Sequence, residues 1–388
     1  MNISNSDNIC VVGGGPLGAI TCLGIAKALP NNKIYWVKGE KRAASQRSVA
    51  VMKPGIDYLK SLDIDFDSLT SFNQLKGLRL VDITQNLLSA PETLFMSEEI
   101  GLDYFALGLN DNLIVSELNK KISTYKNIIH FDVNLKSIIF ENNLKTLCLE
   151  NNEKISVSAI LACDGKFSLT RKLADISHNL TELSQVALTT NLTITGDHNL
   201  ISTEFHTKDG PFTFVPNGEK QVNLVTMLDR KKAEYYASDL SLLKNWVNQQ
   251  SFGLLGHISS TITPQIIPLH KLTVSSLYKN GVFLVGDSAH AFPPIGAQGF
   301  NLGLRDVKSL IDLFSTEASL SKIGADYQKA RFADIKFRTQ AVMSLNQSLL
   351  SGLIPISPAR AVGLSLIKQM PALKRKIMKA GMGNAYFS

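Results

Sequence analysis

The chain is poor in cysteine, and none of it is paired along the sequence. Cys10, Cys22, Cys148 and Cys163 form no C-x-x-C couple in 388 residues. That excludes a zinc finger or ribbon and a disulfide framework, and it suits a reducing compartment. No metal site is expected. Charged residues make up 19% of the chain and hydrophobic ones 44%, which excludes wholesale disorder. No run reaches the roughly 18 uninterrupted apolar residues of a membrane span. Met1 to Asn8 are polar and carry no basic-then-apolar leader, so the expected location is cytoplasmic. Repeats and low-complexity tracts are absent. A formal charge of +7 allows attraction to phosphate or anionic lipid but calls for no nucleic acid. The length suits two domains, or one large interleaved one.

What is present begins at Ile9-Cys-Val-Val12, a short apolar strand that runs into Gly13-Gly-Gly-Pro-Leu-Gly18. A helical pattern follows from Ala19 to Leu29, then a Pro30-Asn-Asn turn and a second strand, Ile34 to Val37. Strand, G-x-G-x-x-G, helix and strand within about 30 residues is the setting that a dinucleotide fingerprint needs. Gly13 makes the turn and Gly15 lets a pyrophosphate approach the backbone. Pro16 and Leu17 are assigned to the cofactor with these glycines, and Gly18 lets the helix sit close to the strand. The acid expected at the end of the second strand to grip a ribose is replaced by Lys38. Two readings stay open: a bulge at Gly39 brings Glu40 to the ribose, or Lys38 meets the 2′-phosphate of NADP. Residues 46–52 and 55–62 read as basic and helix-forming, and Arg47 is assigned to the phosphates.

Two further apolar strands end in an acid. Ile155 to Cys163 stops at Asp164-Gly165, with Ser168 and Arg171 following at helical spacing. Val282 to Val285 stops at Gly286-Asp287, followed by Pro293-Pro294, Gly296, Gly299 and a helix from about Gln298. A carboxylate there can bind hydroxyls, and the free amides of the helix start can face negative charge. Residues 77–83 read as a strand, 113–122 as an amphipathic helix, and 128–149 as a meander turning at Asn142-Asn143. Residues 185–228 form a β-rich roof over a pocket. Residues 231–253 read as helical, as does the chain beyond Asp306, with Tyr327, Arg331 and Asp334 on one exposed helix. A nicotinamide dehydrogenase would complete its cofactor contacts in the N-terminal half. Here a cofactor-like site recurs near residue 287, so the ligand is long. FAD fits.

Gly13-x-Gly15-x-x-Gly18, Asp164-Gly165-x-x-Ser168-x-x-Arg171 and Gly286-Asp287-x-Ala289-His290…Pro294…Gln298-Gly299-x-Asn301 resemble the three signatures of the class A flavoprotein aromatic hydroxylases. Ser184-Gln-Val-Ala187, residues 210–216, Asn301-Leu-Gly-Leu-Arg-Asp306 and Tyr327-x-x-x-Arg331-x-x-Asp334 are similar to their ubiquinone-biosynthesis branch. The resemblance implies an α/β fold of the p-hydroxybenzoate hydroxylase type. In it a Rossmann-like FAD-binding domain (1–74, 101–175 and 276–320) interleaves with a mainly antiparallel β substrate domain (75–100 and 176–275), and C-terminal helices (321–388) follow. It implies bound FAD, NAD(P)H as co-substrate, and transfer of one oxygen atom of O2 to the ring of a hydrophobic polyprenyl-phenol. The flavin ring is assigned to the loop containing Pro294, Gly296, Ala297 and Gln298, with Gly299, Phe300 and Asn301 completing the contacts. Asp287 is assigned to the flavin's hydroxyls, while His290 only lines the site and no dedicated acid or base is identified. Residues 353–388 either close the core or rest on anionic membrane, and a complex with other quinone-biosynthesis enzymes is a further expectation. The rival readings are a hydroxylase of a small soluble aromatic compound, a flavin-dependent isoprenoid reductase and a non-catalytic assembly partner.

Overall fold

Ile9–Val12 sits inside a six-stranded sheet ordered Tyr278–Lys279, Val282–Leu284, Ala159–Ala162, Ile9–Val12, Ile34–Val37, Ile128–Phe131. This computed structural model of the chain describes residues 7–40, 48–66, 73–84, 91–141, 144–317, 319–350, 363 and 365–383. Five of the six strands run parallel, and the Tyr278–Lys279 edge is antiparallel. Every residue of Ile9–Val12 and of Ala159–Ala162 is buried, as a parallel sheet covered on both faces requires. Helix Pro16–Ala28 packs on helix Gln298–Thr316 so closely that a Cβ on Gly24 would come within 3.1 Å of Ile311.

Register decides what this sheet presents. Val12 lies opposite Ala162, and Ala162 lies opposite Leu284. Gly13, Asp164 and Asp287 therefore leave neighbouring strands at one carboxyl edge, where open α/β sheets bind their ligands.

The second large sheet has eight strands. Seven run in the order Ile258–Thr261, His178–Ile194, Gln221–Asp229, Gly210–Pro216, Ile201–Thr207, Gly77–Asp82, Thr93–Met96, and Gln265–Val274 pairs with His178–Ile194. Its pairs are antiparallel except Gly77–Asp82 with Ile201–Thr207. Strand alternation gives the sheet two distinct faces. Phe205, Phe212, Phe214 and Leu224 pack against Ala233, Leu243 and Val247 on the outer side. Ala187 and Met227 point the other way, onto Ile295 and Val342. The roof's inner face thus meets the Pro293–Gly299 loop and the long helix Leu320–Leu350.

Three readings of the sequence need correction. Ser48–Met52, read as helix-forming, is a strand paired antiparallel with Ala106–Asn110. Val49 and Val51 favour the extended backbone, and Lys53–Ser61 starts the helix with a proline in its first turn. The single helix expected over 231–253 is two, Arg230–Ala237 and Leu240–Gln250. The second has its own N-cap, Asp239, which accepts the Ser241 amide. Tyr327 and Arg331, expected on an exposed helix, are 0% and 7% exposed. Their i, i+4 face is turned inward, and Arg331 is tolerated there because Asp306 lies against it at 2.8 Å. The Asn142-Asn143 turn and Arg47 lie outside the described residues.

Candidate functional site

At the first strand end the glycines have separable tasks. Gly13 has φ +128°, and a Cβ there would sit 2.3 Å from the Cys163 carbonyl oxygen. A Cβ on Gly18 would sit 2.0 Å from the Gly13 carbonyl oxygen, so this residue lets the helix close onto its own turn. Gly15 is different: nothing lies within 4 Å of its Cβ position. The helix that starts at Pro16 has no side-chain cap, which leaves the amides of Leu17 and Gly18 pointing out beside that opening. These are the features that a pyrophosphate needs. We expect Gly18→Ala to prevent stable folding, since the clash is with backbone. Gly15→Ala should leave the thermal midpoint of the apoprotein within about 2 °C, a shift of well under 1 kcal/mol, while abolishing retention of FAD on gel filtration. Equal loss of folding in both variants would contradict this division.

The ribose end keeps both of its readings in view. Lys38 turns its ammonium onto Asp132 at 2.7 Å and over the Trp36 ring at 5.1 Å, so its charge is balanced within the protein. Gly39 turns the chain at φ +77° just past the strand, and the exposed Glu40 is tied by its amide to Asn134. Asp132 supplies a second carboxylate here. It ends the parallel neighbour Ile128–Phe131, and only the strand order, not the local sequence, could have revealed it.

At the second strand end, Asp164 accepts hydrogen bonds from Ser168 Oγ at 2.5 Å and the Thr170 amide at 3.0 Å. Both oxygens thus organise the local turn, while Gly165, at φ +82°, leaves its Cβ position open. Arg171 follows in the same motif. It is 1% exposed and donates to the carbonyls of Ser288 at 2.7 Å and Lys166 at 2.9 Å. It clamps the second motif to the third across 117 residues of sequence.

The third motif is buried from Gly281 to His290 except at Asp287, which is exposed. Its carboxylate takes no hydrogen bond among the described residues. Beyond it, Gly296 and Ala297 both adopt left-handed backbone, at φ +62° and +52°. For alanine that conformation costs about 1–2 kcal/mol. Asn301 holds it in place, its Nδ2 donating to Ala297 O at 2.7 Å and Ala50 O at 2.8 Å. Its Oδ1 accepts the Met52 amide at 2.8 Å, so the polar atoms of this side chain are bonded to backbone. Helix Gln298–Thr316 has no side-chain cap, and the Cβ position of Gly299 is open. Its first amides therefore face outward with about half a positive charge. Pro294 and Gly296 are exposed, and Phe300 is half-buried.

Beneath this loop lies a polar assembly that only the folded chain displays. His290 Nε2 bonds Asp306 Oδ2 at 2.7 Å, and the Gly286 amide donates to the same oxygen at 3.1 Å. Arg331 Nε donates to Asp306 Oδ1 at 2.8 Å and Tyr327 OH to Leu284 O at 2.8 Å. Burial pushes the Asp306 carboxyl up, but the charges and hydrogen bonds of His290 and Arg331 together hold it below the usual range. His290 is 1% exposed, so its ring is held within the protein by Asp306.

The residues present fit FAD. An open glycine and free amides await a pyrophosphate, an unpartnered carboxylate awaits hydroxyls, and a second helix start awaits a ring edge. A family model described as an FAD binding domain matches residues 143–319. The chain is 24% identical over 396 aligned residues to 3-demethoxyubiquinol 3-hydroxylase of Escherichia coli K12, covering 97% of this chain and 98% of that one. It is 25% identical over 247 residues to ubiquinone hydroxylase UbiL of Rhodospirillum rubrum, covering 60% and 56%. Among solved structures, PqsL of P. aeruginosa superposes with a TM-score of 0.76 at 17% identity, over 93% and 99% of the two chains. p-Nitrophenol 4-monooxygenase PnpA of Pseudomonas putida gives 0.75 at 17%, over 98% and 99%. At those identities the structural likeness is one of fold. The chain thus carries an FAD binding domain, and its fold and full-length sequence are similar to those of FAD-dependent monooxygenases.

Proposed function

We propose that the protein hydroxylates the aromatic ring of a polyprenyl-phenol on the route to ubiquinone, with NAD(P)H as reductant and O2 as the oxygen source. The observation that carries this reading is the end-to-end similarity to a demethoxyubiquinol hydroxylase. The roof supports it. The inner face of strands Ile201–Thr207, Gly210–Pro216 and Gln221–Asp229 carries no lysine or arginine. Its one imidazole, His206, is buried and bound to Glu204 at 3.0 Å. A soluble aromatic acid would lack a free cation for its carboxylate there. Instead, apolar Ala187, Met227 and Val342 accompany two buried polar atoms that have no partner among the described residues, His206 Nδ1 and Asn346 Oδ1. Those surroundings suit a ring bearing hydroxyls on an apolar tail.

In this reading the protein's own groups bind, orient and shield. The flavin, when bound, supplies the redox and oxygen chemistry. The Leu17 and Gly18 amides would hold the pyrophosphate, Asp287 would hold the hydroxyls, and the Ala297–Gly299 backbone would stabilise negative charge on the ring. No described helix is long and apolar enough to cross a membrane. Leu366, Met370 and Ile377 are exposed beside the exposed Arg375 and Lys376, which supports contact with an anionic membrane surface. Co-sedimentation in excess with anionic over neutral vesicles is expected, and equal binding to both would contradict that contact.

Deletion of the gene in its own host tests the function. Mass spectrometry should show a prenylated quinone precursor short of one ring oxygen. An unchanged quinone pool, or a precursor whose isoprenoid double bonds are altered, would overturn the reading.

A further inference from the structure

The ion pairs that begin on the Tyr327…Arg331…Asp334 helix do not stop at Asp306. Arg331 Nη1 donates to Asp334 Oδ2 at 2.8 Å. Asp334 Oδ1 accepts from Arg338 Nε at 2.7 Å, and Arg338 Nη1 donates to Gln298 Oε1 at 3.0 Å. Gln298 Nε2 in turn donates to the carbonyl of Gly296, inside the left-handed pair of the loop. One bonded path thus runs from the Gly286 amide, next to Asp287, through Asp306, Arg331, Asp334 and Arg338 to the first residue of the Gln298 helix. Its two ends are the two places where the site would touch opposite parts of a flavin.

We infer that Arg338 is a positioning residue for the flavin. Its guanidinium holds Gln298, keeps the loop's amides aimed at the pyrimidine edge, and adds positive charge that favours the reduced, anionic ring over the oxidised one. This rests on the reading that the Pro294–Gly299 loop lies against that edge. The charge balance supports it. Arg305 also approaches Asp334, at 3.7 Å, so three guanidiniums (Arg305, Arg331, Arg338) share two carboxylates (Asp306, Asp334), and the remaining His290 is bonded to Asp306. The surplus is cationic. Arg305 has its pKa lowered to about 10, first by burial and then by the neighbouring Arg338 charge. Arg338 is fixed from behind as well, its Nη2 donating to the Ala380 carbonyl near the end of helix Pro371–Met382. A side chain bonded on three sides and aimed at the loop is fixed in place; a surface arginine would be free to turn away.

The test is the two-electron midpoint potential of bound FAD, measured by dye equilibration in the full chain and in Arg338→Met, Arg338→Lys and Gln298→Leu. Removing the guanidinium should weaken binding of reduced relative to oxidised flavin about tenfold, a fall of about 30 mV. Arg338→Lys, which keeps the charge and loses the fork, should recover part of that fall. Gln298→Leu leaves the Arg338–Asp334 pair intact and should move the potential in the same direction by less. Unchanged potentials in Arg338→Met and Gln298→Leu, with FAD still bound, would overturn the inference. Failure of the unaltered chain to bind FAD would instead bring down the site reading beneath it.

Discussion

Asp287→Ala should weaken FAD binding about 10- to 150-fold, the loss of charge-assisted hydrogen bonds worth about 1.5–3 kcal/mol. The apoprotein itself should be untouched. Asp287 is the one exposed residue in a stretch otherwise buried from Gly281 to His290, and its carboxylate makes no hydrogen bond among the described residues. Its neighbours explain how it is presented. Ser288 Oγ donates to Ala162 O at 2.6 Å and accepts the Val285 amide, while Asp306 accepts the Gly286 amide. The turn is held by the residues on either side, so the side chain between them is free to serve a ligand. Fluorescence titration of the apoprotein with FAD measures the first effect and its thermal midpoint the second. An alanine variant that binds FAD as tightly as the parent would remove the hydroxyl-binding role. One that melts far earlier would show Asp287 to be structural.

Arg331→Ala should have the opposite profile, a large loss of stability whatever the cofactor does. Asp306 is fully buried, and removing Arg331 leaves it one cationic partner fewer, which costs about 3–5 kcal/mol for a buried pair broken on one side. The pH dependence follows from the sign of the shift. The folded-state carboxyl of Asp306 is held below its ordinary value, so the stability it contributes is present above the unfolded pKa of about 4 and is lost as pH falls through the folded value. Without Arg331, burial prevails, the folded pKa rises, and the loss on acidification begins at higher pH. Urea unfolding of parent and variant across pH 4–8 checks both parts. The second change Asp306→Asn should restore part of the loss, since it removes the stranded charge. A variant as stable as the parent, with the same acid limb, would contradict the account of this pair.

These two residues also show what the sequence could tell. Asp287 was legible because the cues are local: an apolar strand, a glycine, an acid and a glycine-bordered helix start within a few residues. The same holds for Gly13, Gly15 and Gly18, whose spacing reflects backbone approach and not a distant partner. Arg331 was legible as part of a motif but illegible in role. Its partner is 25 residues away on another helix, and nothing in a helical pattern states which face will meet a buried carboxylate. Arg171 and Ser288 are 117 residues apart, and Asn301 and Ala50 are 251 apart, so both clamps exist only once the sheet is assembled. Ser48–Met52 failed for a different reason. Five residues beside a helix carry too little periodicity to separate a strand from a helix, and pairing with Ala106–Asn110 decided the matter. The roof was legible as β-rich, but its inner face was not, because membership of that face depends on register with neighbouring strands.

The most direct test of the proposed function is isotopic. The FAD-reconstituted protein is given NAD(P)H, a short-chain prenylated phenol and 18O2, and the product is examined by mass spectrometry. The account predicts one 18O atom in the aromatic ring for each NAD(P)H coupled to product, and none from water. NAD(P)H oxidation that yields only hydrogen peroxide with every prenylated phenol tried, or reduction of the isoprenoid chain with no label in the ring, would contradict it.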